Sequence, residues 1–177
     1  MRHSKIQPTH TEVRLEENDL IVSKTDTRGV ITYANRTFMR IAGFSEPELL
    51  GAPHNLIRHP DMPRAAFKLL WDTLKGGGEF LGYVKNLCRN GSYYWVMANI
   101  TPDYDTSGQL RGYFSVRRKP SAEAVNTLVP IYRQMVELEQ QHRAIEPSMA
   151  FLEQLLAQQN LDYRTFVLNL LQKDLQS

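Results

Sequence analysis

Two histidines, an arginine and an aspartate fall within PHNLIRHPDMP, residues 53–63: His54, Arg58, His59 and Asp61. Paired histidines invite a metal reading, but no cysteine or acidic residue stands at a zinc-ligand spacing from them, so no metal site is expected. Asp61 beside His59 has the look of an acid–base pair. It also directly precedes a helical pattern, and a role as helix cap, with Pro63 in the first turn, accounts for it fully. Cys88 is the single cysteine of the chain. It cannot form an internal disulfide, which agrees with a reducing compartment.

The elements that must position these side chains can be read from periodicity. Phe67, Leu70, Trp71 and Leu74 recur at spacings of three and four, marking an amphipathic helix that stops at Gly76-Gly77-Gly78. That glycine run has no following Lys-Ser/Thr and no βαβ setting, so it is a helix stop and hinge, not a phosphate loop. Before it, LIVSKTD and VITYA flank a Gly29 turn and read as a hairpin, and Asn35 caps a short helix whose Phe38, Ile41 and Ala42 share a face. SEPELLG starts another short helix. After it, EFLGYVKNLC and SYYWVMANITPDY flank Asn90-Gly91, a strong hairpin signal, and Asp105–Gly108 turns into QLRGYFSVRRK. Two strands, short helices and three meandering strands make an α+β arrangement with a mainly antiparallel sheet.

Residues 1–19 are polar with little periodicity and are expected to form an arm or cap that orders only by docking. Residues 20–119 form the sheet domain. Residues 120–177 are rich in helix formers: Leu128, Ile131, Met135 and Leu138 keep a helical rhythm around Pro130, Pro147 ends that segment, and a later break at Asn160 is followed by Asp162 as a new cap. Their apolar faces must pack on the sheet domain, on each other or on a second copy.

Composition narrows the function. A chain of 177 residues with 42% hydrophobic and 23% charged residues is ordinary for a globular protein, and a formal charge of +2 without a basic run gives no reason to expect nucleic acid. No apolar run is long enough to span a bilayer and no secretory segment opens the chain, so a cytoplasmic protein is expected.

GAPHNLIRHPDMPRAAFKLLWDTLKGG, VKNLCRNGSYYWVMAN and GYFSVRRK make Leu20–Lys119 resemble a PAS domain, in particular the FAD-binding PAS domain of bacterial aerotaxis receptors. The resemblance implies a PAS fold: a five-stranded antiparallel sheet with short helices on one face, enclosing FAD, here followed by C-terminal helices. It also implies a redox or oxygen sensor that turns over no substrate. Aerotaxis receptors continue into membrane helices and a methyl-accepting coiled coil, which this sequence does not show. Its output is therefore expected to pass to a separate receptor or kinase, and a homodimer is expected.

By the same resemblance, Asn35, Arg58, His59, Asp61, Phe67, Trp71 and Asn86 stand at positions tied to FAD. Phe80 takes the place of a frequent family tryptophan, keeping the aromatic wall and losing the indole N–H. A flavin needs an apolar slot, hydrogen bonds for its pyrimidine edge and donors for its pyrophosphate. Arg58 suits a phosphate, and Asn86 could offer its amide to the ring edge or bond a neighbouring loop. Light-sensing PAS relatives form a flavin adduct through a cysteine placed where this chain reads Asn55-Leu56-Ile57-Arg58, so no photoadduct is expected and Cys88 is read as buried or inert. Two alternatives stay open: a haem-binding PAS gas sensor using a histidine of this region as axial ligand, and a cofactor-free interaction module. A flavin enzyme has least support, because no nicotinamide site or catalytic pair can be read.

Overall fold

The computed structural model describes residues 6–174, which build a five-stranded antiparallel sheet flanked by helices. β1 (Leu20–Asp26) and β2 (Ile31–Ala34) form the first hairpin. Short helical pieces follow: α1 (Arg36–Ala42), α2 (Glu46–Leu49), a 3-10 turn at His54–Ile57, and α3 (Arg64–Lys75). β3 (Phe80–Leu87), β4 (Tyr93–Tyr104) and β5 (Leu110–Arg118) then run as a meander. The sheet order is β2-β1-β5-β4-β3, so pairing of β1 with β5 joins the two halves of the chain through its middle.

Local chemistry explains most of these boundaries. Asn35 Oδ1 accepts the Phe38 N–H at 3.0 Å and starts α1, and Gly43, with φ of 74°, ends it in the left-handed region that a side chain disfavours. Asp105 Oδ1 accepts the N–H groups of Ser107 and Gln109, both at 2.9 Å, and fixes the β4–β5 turn. Two expected boundaries need correction. α3 begins at Arg64 with Pro63 in the capping position, so Asp61 does not cap it. Instead the Asp61 carboxylate is drawn to Lys85 Nζ at 2.7 Å. Pro147 does not end the preceding helix: α4 (Ala122–His142) stops where Arg143 turns to φ of 51°, and Pro147 lies in the first turn of α5 (Glu146–Gln158). A proline there removes only an N–H that lacks a helical partner anyway. Pro130 sits inside α4. Asn160, with φ of 59°, makes the break before α6 (Tyr163–Asp174), and Asp162 Oδ1 accepts the Thr165 N–H at 2.7 Å.

A main core unites these parts, with a smaller cluster of Leu70, Leu74, Phe80 and Tyr113 beside it. Phe38, Ile57, Tyr83, Tyr94 and Val96 are buried in the main core together with Leu128, Met135, Leu156 and Val167 of the C-terminal helices. Full burial of side chains of this size contributes roughly 1.5–3 kcal/mol each. Of the three destinations open to the C-terminal helices, the chain uses the first two. α4 packs on α5, and α6 lies against the edge strand β3. The Tyr132 hydroxyl donates to the Tyr83 carbonyl at 2.8 Å and its ring stacks on Trp95 at 6.2 Å. At the other end of the chain the arm docks beside β4: Val13 N–H donates to the Tyr93 carbonyl at 2.7 Å, and Tyr93 N–H to the Thr11 carbonyl at 2.9 Å.

Candidate functional site

Strand alternation gives the sheet one face that looks toward α3. From β5 come Tyr113, Ser115 and Arg117; from β4, Ala98 and Ile100; from β3, Val84 and Asn86. Against them α3 sets Phe67, Leu70, Trp71 and Leu74, and the 3-10 turn region sets His54, Asn55, Ile57 and Arg58. Between the two layers lies a cavity of about 130 Å³. Its wall is apolar apart from a few polar groups that converge at one end, as small-molecule sites usually are. Trp71 meets Tyr113 edge to face at 5.4 Å, closing one side of the slot.

The polar end is built around Arg117, which is 2% exposed. Nη2 donates to Ser23 Oγ at 2.5 Å, the guanidinium lies over the Phe38 ring at 4.5 Å, and Nε and Nη1 have no partner. Ser115 Oγ, two residues back on the same strand face, is also buried and without a partner. Burial pulls the Arg117 pKa down to about 10, with Tyr94 opposing, so the group is still cationic at neutral pH. His54 Nε2 lies 3.2 Å from Ser23 Oγ. Burial, and secondarily the Arg117 charge, lower the His54 pKa to about 3, so this imidazole is neutral. A buried cation with idle N–H groups beside an idle hydroxyl is costly by itself and fits a ligand edge that offers hydrogen-bond acceptors.

Of the residues expected at the site, Arg58, Phe67, Trp71 and Asn86 line this cavity. Arg58 lies over the Phe67 ring at 4.5 Å and donates through Nη2 to the Met62 carbonyl at 3.2 Å, with burial lowering its pKa against the opposing pull of Glu139. Asn35, His59, Asp61 and Phe80 lie elsewhere, and each has a structural occupation. Asn35 ties β1 to α1: Oδ1 accepts the Val22 N–H at 3.1 Å and Nδ2 donates to the Leu20 carbonyl at 2.8 Å. His59 is buried against Tyr93, with Nδ1 accepting the Asp61 N–H at 3.1 Å. Its pKa falls to about 4, through burial first and Lys85 second, with Asp61 opposing. Asp61 is held by Lys85, whose Nζ also lies over the Tyr93 ring at 4.1 Å. Phe80 stacks on Tyr163 of α6 at 5.9 Å, behind the cavity wall.

Arg117 and Ser115 are polar groups of the cavity lining that residue-by-residue reading passed over, and His54, weighed there only as a metal or haem ligand, lines the cavity as well. The signal for the first two was present in GYFSVRRK, where the period of two puts Tyr113, Ser115 and Arg117 on one face. Cys88 is buried away from the cavity with Sγ donating to the Ile41 carbonyl at 3.3 Å, and burial pushes its pKa up to about 11. Among the described residues no three His, Cys, Asp or Glu side chains gather in a way that could hold a metal ion, and no helix is long and apolar enough to cross a membrane.

Comparison with known proteins agrees with this architecture. Residues 31–117 match the family described as PAS fold. The aerotaxis receptor of Escherichia coli is 42% identical over 125 residues, covering 71% of this chain and 24% of that protein. The nitrogen fixation regulatory protein of Klebsiella pneumoniae is 34% identical over 104 residues, covering 59% of this chain and 21% of that protein. The chain thus spans less than a quarter of the length of either relative. Among solved structures, the light state of the blue-light photoreceptor Aureochrome1 LOV superposes with a TM-score of 0.56 at 20% identity, covering 64% of this chain and 90% of that one.

Proposed function

Because residues 31–117 form a PAS domain, related in sequence to the aerotaxis receptor of E. coli, we propose that the chain is a cytoplasmic sensor of redox state or oxygen that holds FAD in the cavity between sheet and α3 and reports through its C-terminal helices to a separate signalling protein. The observation that carries this reading is the Arg117 guanidinium, with two of its three nitrogens unpartnered, beside Ser115 at the polar end of an otherwise apolar, aromatic-walled slot. The group bound there would supply a reversible electron-accepting ring; the residues present do the rest.

Arg117 and Ser115 would meet acceptors on the ring edge, Asn86 would add an amide from β3, on the far side of β4, and Phe67, Trp71 and Tyr113 would exclude water from the ring faces. Arg58, half-buried at the turn that opens the slot, carries a guanidinium fork suited to a phosphate. His59 and Asp61 act one layer out by holding the loop from Arg58 to Pro63 against Lys85 and Tyr93. A gain of negative charge on the ligand would strengthen its bond to Arg117, and that change in local energy is what a sensor needs in order to shift between two packings. The role is sensing, without turnover.

Equilibrium dialysis of the protein, stripped of small molecules, against FAD, FMN, riboflavin and haemin tests the reading. Retention of FAD with one site per chain supports it. Retention of haemin alone makes the chain a gas sensor, and retention of none makes it a cofactor-free interaction module.

A further inference from the structure

The first turn of α3 leaves its N–H groups without helical partners, and its capping residue, Pro63, offers no side-chain bond. The partner comes from 74 residues later in the chain. Glu139 of α4 accepts the Arg64 N–H at 2.8 Å through Oε2 and the Ala65 N–H at 2.9 Å through Oε1. A carboxylate at a helix N-terminus is favoured both by these bonds and by the helix dipole. Glu139 is only 7% exposed, so its charge has left water to make this contact. Removing Glu139 leaves the buried Ala65 N–H without a partner, and removing the donors leaves a buried carboxylate without one, so loss of either side is costly.

α3 is also the helix that walls the cavity, through Phe67 and Trp71. Two of the C-terminal helices, α4 and α6, grip β3, a strand that lines the cavity from the other layer: Tyr132 at the Tyr83 carbonyl and Tyr163 on Phe80. The helices therefore hold both jaws of the slot, and Glu139 is their direct bond to the jaw that carries the aromatic wall. We propose that Glu139 is a latch through which occupancy of the cavity and docking of α4–α6 are coupled. A ligand that spreads α3 from the sheet strains the two bonds to Glu139, and undocking of α4 in turn frees the first turn of α3. Because the coupling is reciprocal, anything that captures α4–α6 also changes the affinity of the cavity. The latch deepens the sensor reading and rests on it for the identity of the trigger.

Hydrogen–deuterium exchange of the full chain tests this with two independent ways of filling the cavity, added FAD and an Ala98→Leu substitution that grows a side chain into it from β4. Glu139→Gln should raise exchange about tenfold or more both in the first turn of α3 and across α4–α6. In the parent protein, filling the cavity should change protection at both places together; in Glu139→Gln it should change α3 alone. Should Glu139→Gln fail to fold, Arg64→Pro removes one of the two donors from the helix side, at a position where proline fits a helix, and should loosen α4–α6 in the same way. The latch is overturned if α4–α6 keep parental exchange rates when the contact is broken, or if filling the cavity alters α3 and leaves α4–α6 unchanged. Failure of FAD to bind while Ala98→Leu still moves both regions removes the flavin reading and leaves the latch standing.

Discussion

Arg117 lies with its guanidinium 4.5 Å from the centroid of the Phe38 ring, donating one N–H to Ser23 and leaving Nε and Nη1 buried without a partner. A buried charge so poorly matched by the protein is a burden on the empty fold. Arg117→Met keeps the bulk and removes the charge. Without ligand it should unfold at the same or a higher denaturant midpoint, by on the order of 1 kcal/mol, while its affinity for FAD falls roughly 10- to 100-fold. Arg117→Lys should not restore that affinity, because an ammonium cannot reproduce the planar fork. A less stable apo form with parental affinity would return Arg117 to a purely structural role.

His54 sets a pH dependence with a definite sign. Its pKa falls from the ordinary 6.5 to about 3 in the fold, because of burial and then the Arg117 charge. The unfolded chain therefore binds the proton first, and stability is lost as pH drops below 6.5 toward 3. The loss is at most about 1.4 kcal/mol per pH unit for this group. Denaturant titrations between pH 7 and 5 should show the fall. The His54 ring stacks on Phe38 with centroids 6.1 Å apart, and His54→Phe, which keeps that ring, should reduce the slope.

Two glycines should separate sheet integrity from helix docking. A Cβ on Gly112 would stand 1.8 Å from the Thr25 carbonyl oxygen, which is backbone in the central β1–β5 pairing. One on Gly82 would stand 2.7 Å from Phe80 Cζ and the Tyr163 hydroxyl, which are side chains. Gly112→Ala should destabilise the whole domain by about 2 kcal/mol or more. Gly82→Ala should act chiefly on α6, seen as faster exchange there with a smaller change in global stability.

Cys88 should be inert in the fold. Burial pushes its thiol up to about 11, and its Sγ donates to the Ile41 carbonyl away from the cavity. Iodoacetamide at neutral pH should modify it only after denaturant is added. Illumination of flavin-loaded protein should give no thermally reversible thiol adduct, and identical bleaching in Cys88→Ser would establish the point.

The strands and caps were legible because they rest on local chemistry. Asn90-Gly91 and Asp105–Gly108 turned the meander as their residue types require, and the three-four spacing of Phe67, Leu70, Trp71 and Leu74 produced α3 with those side chains on the cavity. Long-range partners were not legible. Asp61 looked like the cap of α3, but Lys85 claimed its carboxylate from 24 residues away, and Glu139 supplied the cap from the far end of the chain. Asn35, read as both cap and cofactor contact, spends its amide bridging β1 and α1. Arg117 was hidden for the opposite reason. Its strand position marked it as inward-facing, but an arginine pattern does not say whether the buried charge has a partner; only the surrounding atoms do.

The most direct test of the central claim is the visible absorption spectrum of the protein as purified, followed by the thermal midpoint on addition of FAD. A flavin spectrum in the folded protein, release of FAD on denaturation and a raised midpoint with added FAD are the predicted result. A colourless, folded protein whose midpoint FAD does not move would contradict it, and a Soret band in place of flavin absorption would contradict it in favour of haem.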